Sequence, residues 1–145
     1  MKFGIGVDYS LRALLALAER YPSGVPYRVE EIAASRGIPE NYLRRLLIDL
    51  KRGGLVVSQK GPSGGYLLAR PPSRISMADV VLIIEGDVTP VDCLQSGGVG
   101  LCRPEESCPM REVWREVREA VLAILRRATL EVLLQKSRSA FTFQI

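Results

Sequence analysis

Histidine is missing from the chain altogether. That excludes histidine-based general acid–base catalysis, histidine-ligated zinc and histidine-ligated haem together. No Gly-x-Ser-x-Gly elbow, phosphate loop or dinucleotide fingerprint is present, so no enzymatic activity is expected. No apolar stretch is long enough to cross a membrane. The start, Met1-Lys2-Phe3-Gly4-Ile5-Gly6-Val7-Asp8, lacks the apolar run and cleavage site of a signal peptide, so a cytoplasmic location is expected. Cysteine is scarce and confined. The three thiols, Cys93, Cys102 and Cys108, fall in one sixteen-residue window with Gly97, Gly98 and Gly100. An odd number of cysteines in a cytoplasmic chain argues against a disulfide framework and for metal or redox chemistry.

What is present suits one folded domain. At 145 residues, with 47% hydrophobic and 25% charged, the chain can build a core. Its net charge of +4 suits an anionic partner. The charge is segregated: Arg28 to Lys60 holds seven basic and four acidic residues, Glu85 to Cys108 five acidic and one basic. The basic segment and the thiol segment therefore read as different surfaces.

Apolar periodicity predicts a first helix over 8–21, through Leu11, Leu14, Leu15 and Ala18. A short helix over 29–34 and the turn at Gly37 follow. Pro39 then opens a second helix, with Tyr42, Leu43, Leu46, Leu47 and Leu50 inward, stopped by Gly53-Gly54. Helix, glycine turn, helix is the helix-turn-helix pattern. Leu55 to Lys60 is strand-like, Gly61 to Gly65 a turn, and Tyr66 to Leu68 a second strand. A hairpin directly after a helix-turn-helix is a wing. The plainer alternative is that these elements are simply a small core.

Ser76-Met77-Ala78-Asp79 resembles a capping box, opening a helix to about Glu85. A long helix is predicted over 109–127, with Val113, Trp114, Val117, Val121, Ile124, Leu125 and Ala128 on one stripe. Thr129 is placed to cap a last short helix. The resulting fold class is mainly α with a small β-wing: a winged helix-turn-helix head plus a long C-terminal dimerisation helix. The divisions are the head over 1–75, a linking helix and cysteine loop over 76–108, dimerisation helices over 109–136, and a tail over 137–145.

If the head binds double-stranded DNA, the second helix enters the major groove. Asn41, Tyr42, Arg44 and Arg45 then meet base edges and phosphates, with Arg44 bonding a guanine edge bidentately. Arg28, Lys51 and Lys60 are assigned to phosphates, and Ser63 and Gly64 at the wing tip to close backbone approach. Each arginine has the alternative role of a solvated surface charge, and Tyr42 that of core packing. The long helix needs a partner for its stripe, and a second copy fits, because helix-turn-helix proteins bind paired half-sites as symmetric dimers.

The thiol spacing, Cys93-x8-Cys102-x5-Cys108-Pro109, lacks the close Cys-x2-Cys pair of zinc ribbons and carries the Cys-Pro step seen beside iron–sulfur clusters. A metal-free thiol switch and incidental cysteines are the alternatives.

Several segments together resemble the IscR/NsrR family of winged-helix, iron–sulfur transcription regulators. They are Asp8 to Leu14, Ile38 to Leu50, the wing Lys60-Gly61-Pro62-Ser63-Gly64-Gly65-Tyr66-Leu67, the three cysteines, Trp114, and Thr129-Leu130-Glu131. The resemblance covers Met1 to about Leu134. It implies a homodimer on a palindromic operator, acting as a repressor. It also implies a [4Fe–4S] or [2Fe–2S] cluster held by Cys93, Cys102 and Cys108, sensing nitric oxide, redox state or iron–sulfur status. In the IscR branch a histidine three residues after the last cysteine completes the ligands; here that residue is Arg111. In the NsrR branch an aspartate of the first helix reaches across from the other subunit, and Asp8, followed by Arg12, matches it. Asp8 also suits a helix N-cap. The first cysteine gap is longer than the family's usual one, and Arg44 stands where IscR-type recognition helices carry glutamate. Two rival readings are a metal-free thiol-switch regulator and a cluster protein that does not bind DNA.

Overall fold

The computed structural model describes residues 1–95 and 108–142. Helix α1 runs Ile5–Arg20, α2 Val29–Arg36 and α3 Glu40–Arg52. Strands β1 (Val56–Gln59) and β2 (Gly65–Leu68) pair antiparallel, with Val56 opposite Leu68 and Gln59 opposite Gly65. Helix α4 spans Met77–Glu85, α5 Pro109–Arg127 and α6 Leu130–Thr142. This is the expected class: mostly helical with a two-stranded wing after a helix-turn-helix, and a long C-terminal helix.

The local signals act as their chemistry requires. Gly37 closes α2 in the left-handed region at φ 63°. The Ser76 side chain accepts from the Asp79 N–H while Asp79 accepts from the Ser76 N–H, a complete capping box at α4. Thr129 Oγ1 accepts from the Val132 N–H at 3.2 Å and caps α6. That last helix continues past Lys136 to Thr142.

Helix α1 begins three residues before its expected start, which corrects one reading of Asp8. The N-cap is Gly4, and Asp8 lies inside the first turn, so Asp8 is not the cap. The cap comes from elsewhere in the chain: Glu85 Oε1 at the end of α4 accepts the Gly4 N–H at 2.8 Å. A side chain at Gly6 would meet the Tyr42 hydroxyl at 3.0 Å, so glycine lets α3 seat closely against α1.

Two cores result. The larger joins Leu14 and Leu17 of α1, Ile32 of α2, Leu43, Leu47 and Leu50 of α3, Val56 and Leu68 of the wing, and Leu130 of α6. The smaller joins Val7, Ala78, Val81 and Val88 to Leu122 and Leu125 of α5. Full burial of a leucine such as Leu122 contributes about 2 kcal/mol, so this small core fixes α5 to α4. Leu122 lies outside the expected stripe. Of that stripe, Leu125 is buried on the chain itself, while Val113, Trp114 and Ile124 stay exposed. Helix α5 thus has two apolar faces, and one is uncovered in the monomer.

Candidate nucleic-acid interface

Helix α3 carries the strongest separation of faces in the head. Leu43, Leu46, Leu47 and Leu50 are buried, while Asn41, Arg44, Arg45 and Lys51 are exposed. Tyr42 is half-buried and does both jobs. Its ring meets that of Tyr9 edge-on at 5.7 Å, and the Arg45 guanidinium lies 5.5 Å from its centroid.

The wing is held by a pairing that local sequence signals do not show. Tyr27 and Tyr66 exchange two backbone hydrogen bonds of 2.9 Å, adding a third short strand segment beside β2. Arg20 stacks on the Tyr27 ring with its guanidinium 3.5 Å from the centroid. The next residue, Arg28, donates to the Pro62 carbonyl at the wing tip. Arg28 is thereby tied to the wing turn.

Between α2, α3 and the wing lies an open cleft of about 500 Å³. Arg28, Arg44, Lys60 and Gly64 line it together, with Glu30 and Gln59. Exposed Ser63 lies in the wing turn beside it. Lys51, near the far end of α3, donates to Ser58 Oγ at 2.6 Å and braces the helix against β1. The structure therefore brings Arg28, Arg44 and Lys60 to one cleft, which Lys51 and Arg45 do not line. Arg45 and Tyr42 sit at the edge facing α1.

Arg44 is not free in that cleft. Its Nη2 bonds Glu30 Oε1 at 2.6 Å and Glu40 Oε1 at 2.7 Å. Glu40 first and Glu30 second raise the Arg44 pKa above its usual value. The Glu30 carboxyl is held below the carboxylate range, first by a backbone hydrogen bond at the start of α2 and then by Arg44. Sequence reasoning missed both glutamates. Glu40 was legible as an i,i+4 partner of Arg44, whereas Glu30 is fourteen residues away and meets Arg44 only through the α2–α3 packing.

The thiol segment starts where the smaller core ends. Cys93 sits on a single 3-10 turn, Asp92–Leu94, and Cys108 immediately precedes α5; both are half-buried free thiols. Cys102 lies outside the described residues. Asp8 is half exposed and ion-pairs with Arg12 at 2.8 Å. Among the described residues, no three His, Cys, Asp or Glu side chains stand together as a metal group. Asp87, just before the thiol segment, accepts from Arg118 Nη2 of α5 at 2.8 Å.

Comparison with known proteins decides the family. The Rrf2 family, described as iron-dependent transcriptional regulators, matches residues 4–136. The chain is an Rrf2-family transcriptional regulator. An rrf2-like HTH-type transcriptional regulator of Rhodobacter capsulatus is 36% identical over 139 residues, covering 92% of this chain and 93% of the relative. The HTH-type regulator CymR of Bacillus subtilis is 33% identical over 90% of this chain and 88% of its own length. The solved structure of that protein, the global cysteine regulator of B. subtilis, superposes with a TM-score of 0.77 at 31% identity, over 94% of this chain and 98% of the other. The structure of IscR from T. potens gives 0.76 at 27% identity, over 97% and 90%. The likeness to IscR-type regulators read from the sequence is borne out, and so is the winged-helix fold. Among the described residues no helix is long and apolar enough to cross a membrane.

Proposed function

We propose that this Rrf2-family chain is a homodimeric repressor that binds a palindromic double-stranded DNA operator through α3 and the wing. We further propose that it senses nitric oxide, redox state or iron–sulfur status through its three thiols. The observation that carries the DNA reading is the shared cleft, where Arg28, Arg44, Lys60 and the wing glycines converge beside the exposed face of α3. Phosphate contacts from Arg28 and Lys60 would set register, and base contacts from α3 would set sequence. The uncovered face of α5, with Trp114 and Ile124, supports a second copy as its cover.

The donor chemistry suits an iron–sulfur cluster. Soft thiolates from Cys93, Cys102 and Cys108 are its usual ligands, and the chain has no histidine to complete the set. Asp8 of the partner subunit is the proposed fourth ligand. Once bound, the cluster would supply a centre reactive toward nitric oxide and oxygen. The chain's own part is to hold the loop ends: Cys93 follows the smaller core, Cys108 opens α5, and the Asp87–Arg118 pair joins the two.

A second reading is a metal-free thiol switch. The Asp8–Arg12 pair favours it, because that carboxylate is already engaged within the chain. Anaerobic purification followed by visible absorption, iron and sulfide analysis separates the two. Visible absorbance with about stoichiometric iron and sulfide is expected. A colourless protein whose DNA binding responds to oxidant would replace the cluster with the switch. Duplex binding is tested by Lys60→Ala, expected to lower the salt dependence of binding by about one phosphate contact.

A further inference from the structure

We propose that Glu30, Arg44 and Glu40 form a sequence-discriminating clamp, in which two carboxylates hold the Arg44 guanidinium back from DNA until a guanine edge replaces them. The proposal rests on the DNA-binding reading and concerns what the interface selects.

The geometry is specific. One guanidinium nitrogen of Arg44 is shared between carboxylates of two helices, at 2.6 Å to Glu30 and 2.7 Å to Glu40, and Nε approaches Glu40 at 3.3 Å. Each glutamate sits in the first turn of its helix, α2 or α3, where the helix dipole favours a negative charge. Both carboxylates are therefore seated by the fold. The side chains are about half exposed, at 46% for Arg44, 57% for Glu30 and 45% for Glu40. Ion pairs this exposed are weak, so the clamp can open.

The cost of opening depends on the base that Arg44 meets. Guanine offers two acceptors, O6 and N7, matching the guanidinium fork. Adenine offers one acceptor beside a donor, and the pyrimidines offer no such pair. Opposite guanine, Arg44 exchanges carboxylate oxygens for base acceptors and keeps its hydrogen bonds. Opposite any other base it stays with the glutamates, and the triad then presents two carboxylates and one cation to a polyanion. Arg28 and Lys60 in the same cleft attract duplex DNA of any sequence, and the glutamates oppose that attraction. The clamp thus lowers affinity for wrong sites more than for the right one, which is how discrimination is gained.

The test selects duplexes from a randomised library with the full-length wild type, Arg44→Ala and the double variant Glu30→Gln/Glu40→Gln. Affinities are then measured on the selected and a scrambled duplex at several salt concentrations. Wild type should enrich guanine at one symmetric position of each half-site. Arg44→Ala should lose that preference alone and bind the selected duplex about 10- to 100-fold more weakly. The glutamine variant should bind scrambled duplex at least about fivefold more tightly and show a smaller specificity ratio. Retained guanine preference in Arg44→Ala overturns the clamp, as does unchanged scrambled-duplex affinity in the glutamine variant. If urea unfolding shows the glutamine variant destabilised while its specificity ratio stays at the wild-type value, the triad is only a tie between α2 and α3. A wild type that enriches no motif overturns the DNA reading itself.

Discussion

At Gly65 a positive φ and a close approach of two backbones coincide. It sits at φ 155°, and an alanine methyl there would lie 2.5 Å from the Tyr27 carbonyl oxygen and 2.7 Å from its carbon. Ordinary contact begins at about 3.5 Å, so the two backbones must part by about 1 Å. Parting them breaks both Tyr27–Tyr66 hydrogen bonds, each 2.9 Å long. At about 1 kcal/mol net for each bond, plus about 1 kcal/mol for the backbone strain, Gly65→Ala should cost about 3 kcal/mol. Gly61 provides the control. It also has a positive φ, 110°, but its Cβ position has nothing within 4 Å, so Gly61→Ala should cost only about 1 kcal/mol. Urea unfolding of the two variants and wild type measures the difference. Amide exchange at Tyr27 and Tyr66 locates it, with both amides losing protection in Gly65→Ala. Equal costs for the two variants, or full protection of those amides, would refute the argument that a close approach, and not glycine's freedom alone, fixes Gly65. Because Arg28 follows Tyr27, Gly65→Ala should weaken DNA binding as well.

The Asp87 carboxyl is raised by burial, but the Arg118 hydrogen bond and the Val88 N–H outweigh this and hold it below its usual 3.8. A carboxyl depressed on folding adds stability above its unfolded value and loses it as pH falls through the folded one. Asp87→Asn should therefore cost about 1 kcal/mol at pH 7 and progressively less as pH falls below 3.8, read from urea curves across pH. A cost that does not change with pH would contradict the pair's electrostatic role. Trp114 is 38% exposed on the uncovered face of α5. Trp114→Glu should weaken self-association at least about 30-fold by sedimentation, with unchanged helix content. An unaltered association constant would place the dimer contact elsewhere.

Much of the fold was legible because its signals are local. The Ser76–Asp79 box, the Gly37 turn, the Thr129 cap and the leucine face of α3 each act over a few residues. What escaped was non-local. The start of α1 depends on Glu85, seventy-seven residues and more beyond its first turn in sequence, which caps Gly4 from α4. Asp8 therefore looked like a cap, although the helix had already begun. The Tyr27–Tyr66 bridge and the Glu30–Arg44 pair likewise exist only once α2, α3 and the wing are packed. Polar Ser137, Arg138 and Ser139 gave no periodicity, yet α6 passes through them to Thr142. At the candidate site, the cations were readable from residue type and spacing. The carboxylates that restrain Arg44 were not, because a glutamate's partner is set by tertiary distance.

The thiol segment should govern how this Rrf2-family regulator binds DNA. Equilibrium affinity for the selected duplex, measured anaerobically before and after nitric oxide at one salt concentration, tests it most directly. Coupling between two sites of one protein is worth about 1–3 kcal/mol, so the affinities should differ about 5- to 150-fold. The visible spectrum of the same sample should change with them. Equal affinities across a complete spectral change would show that the thiol segment and the DNA-binding face are uncoupled.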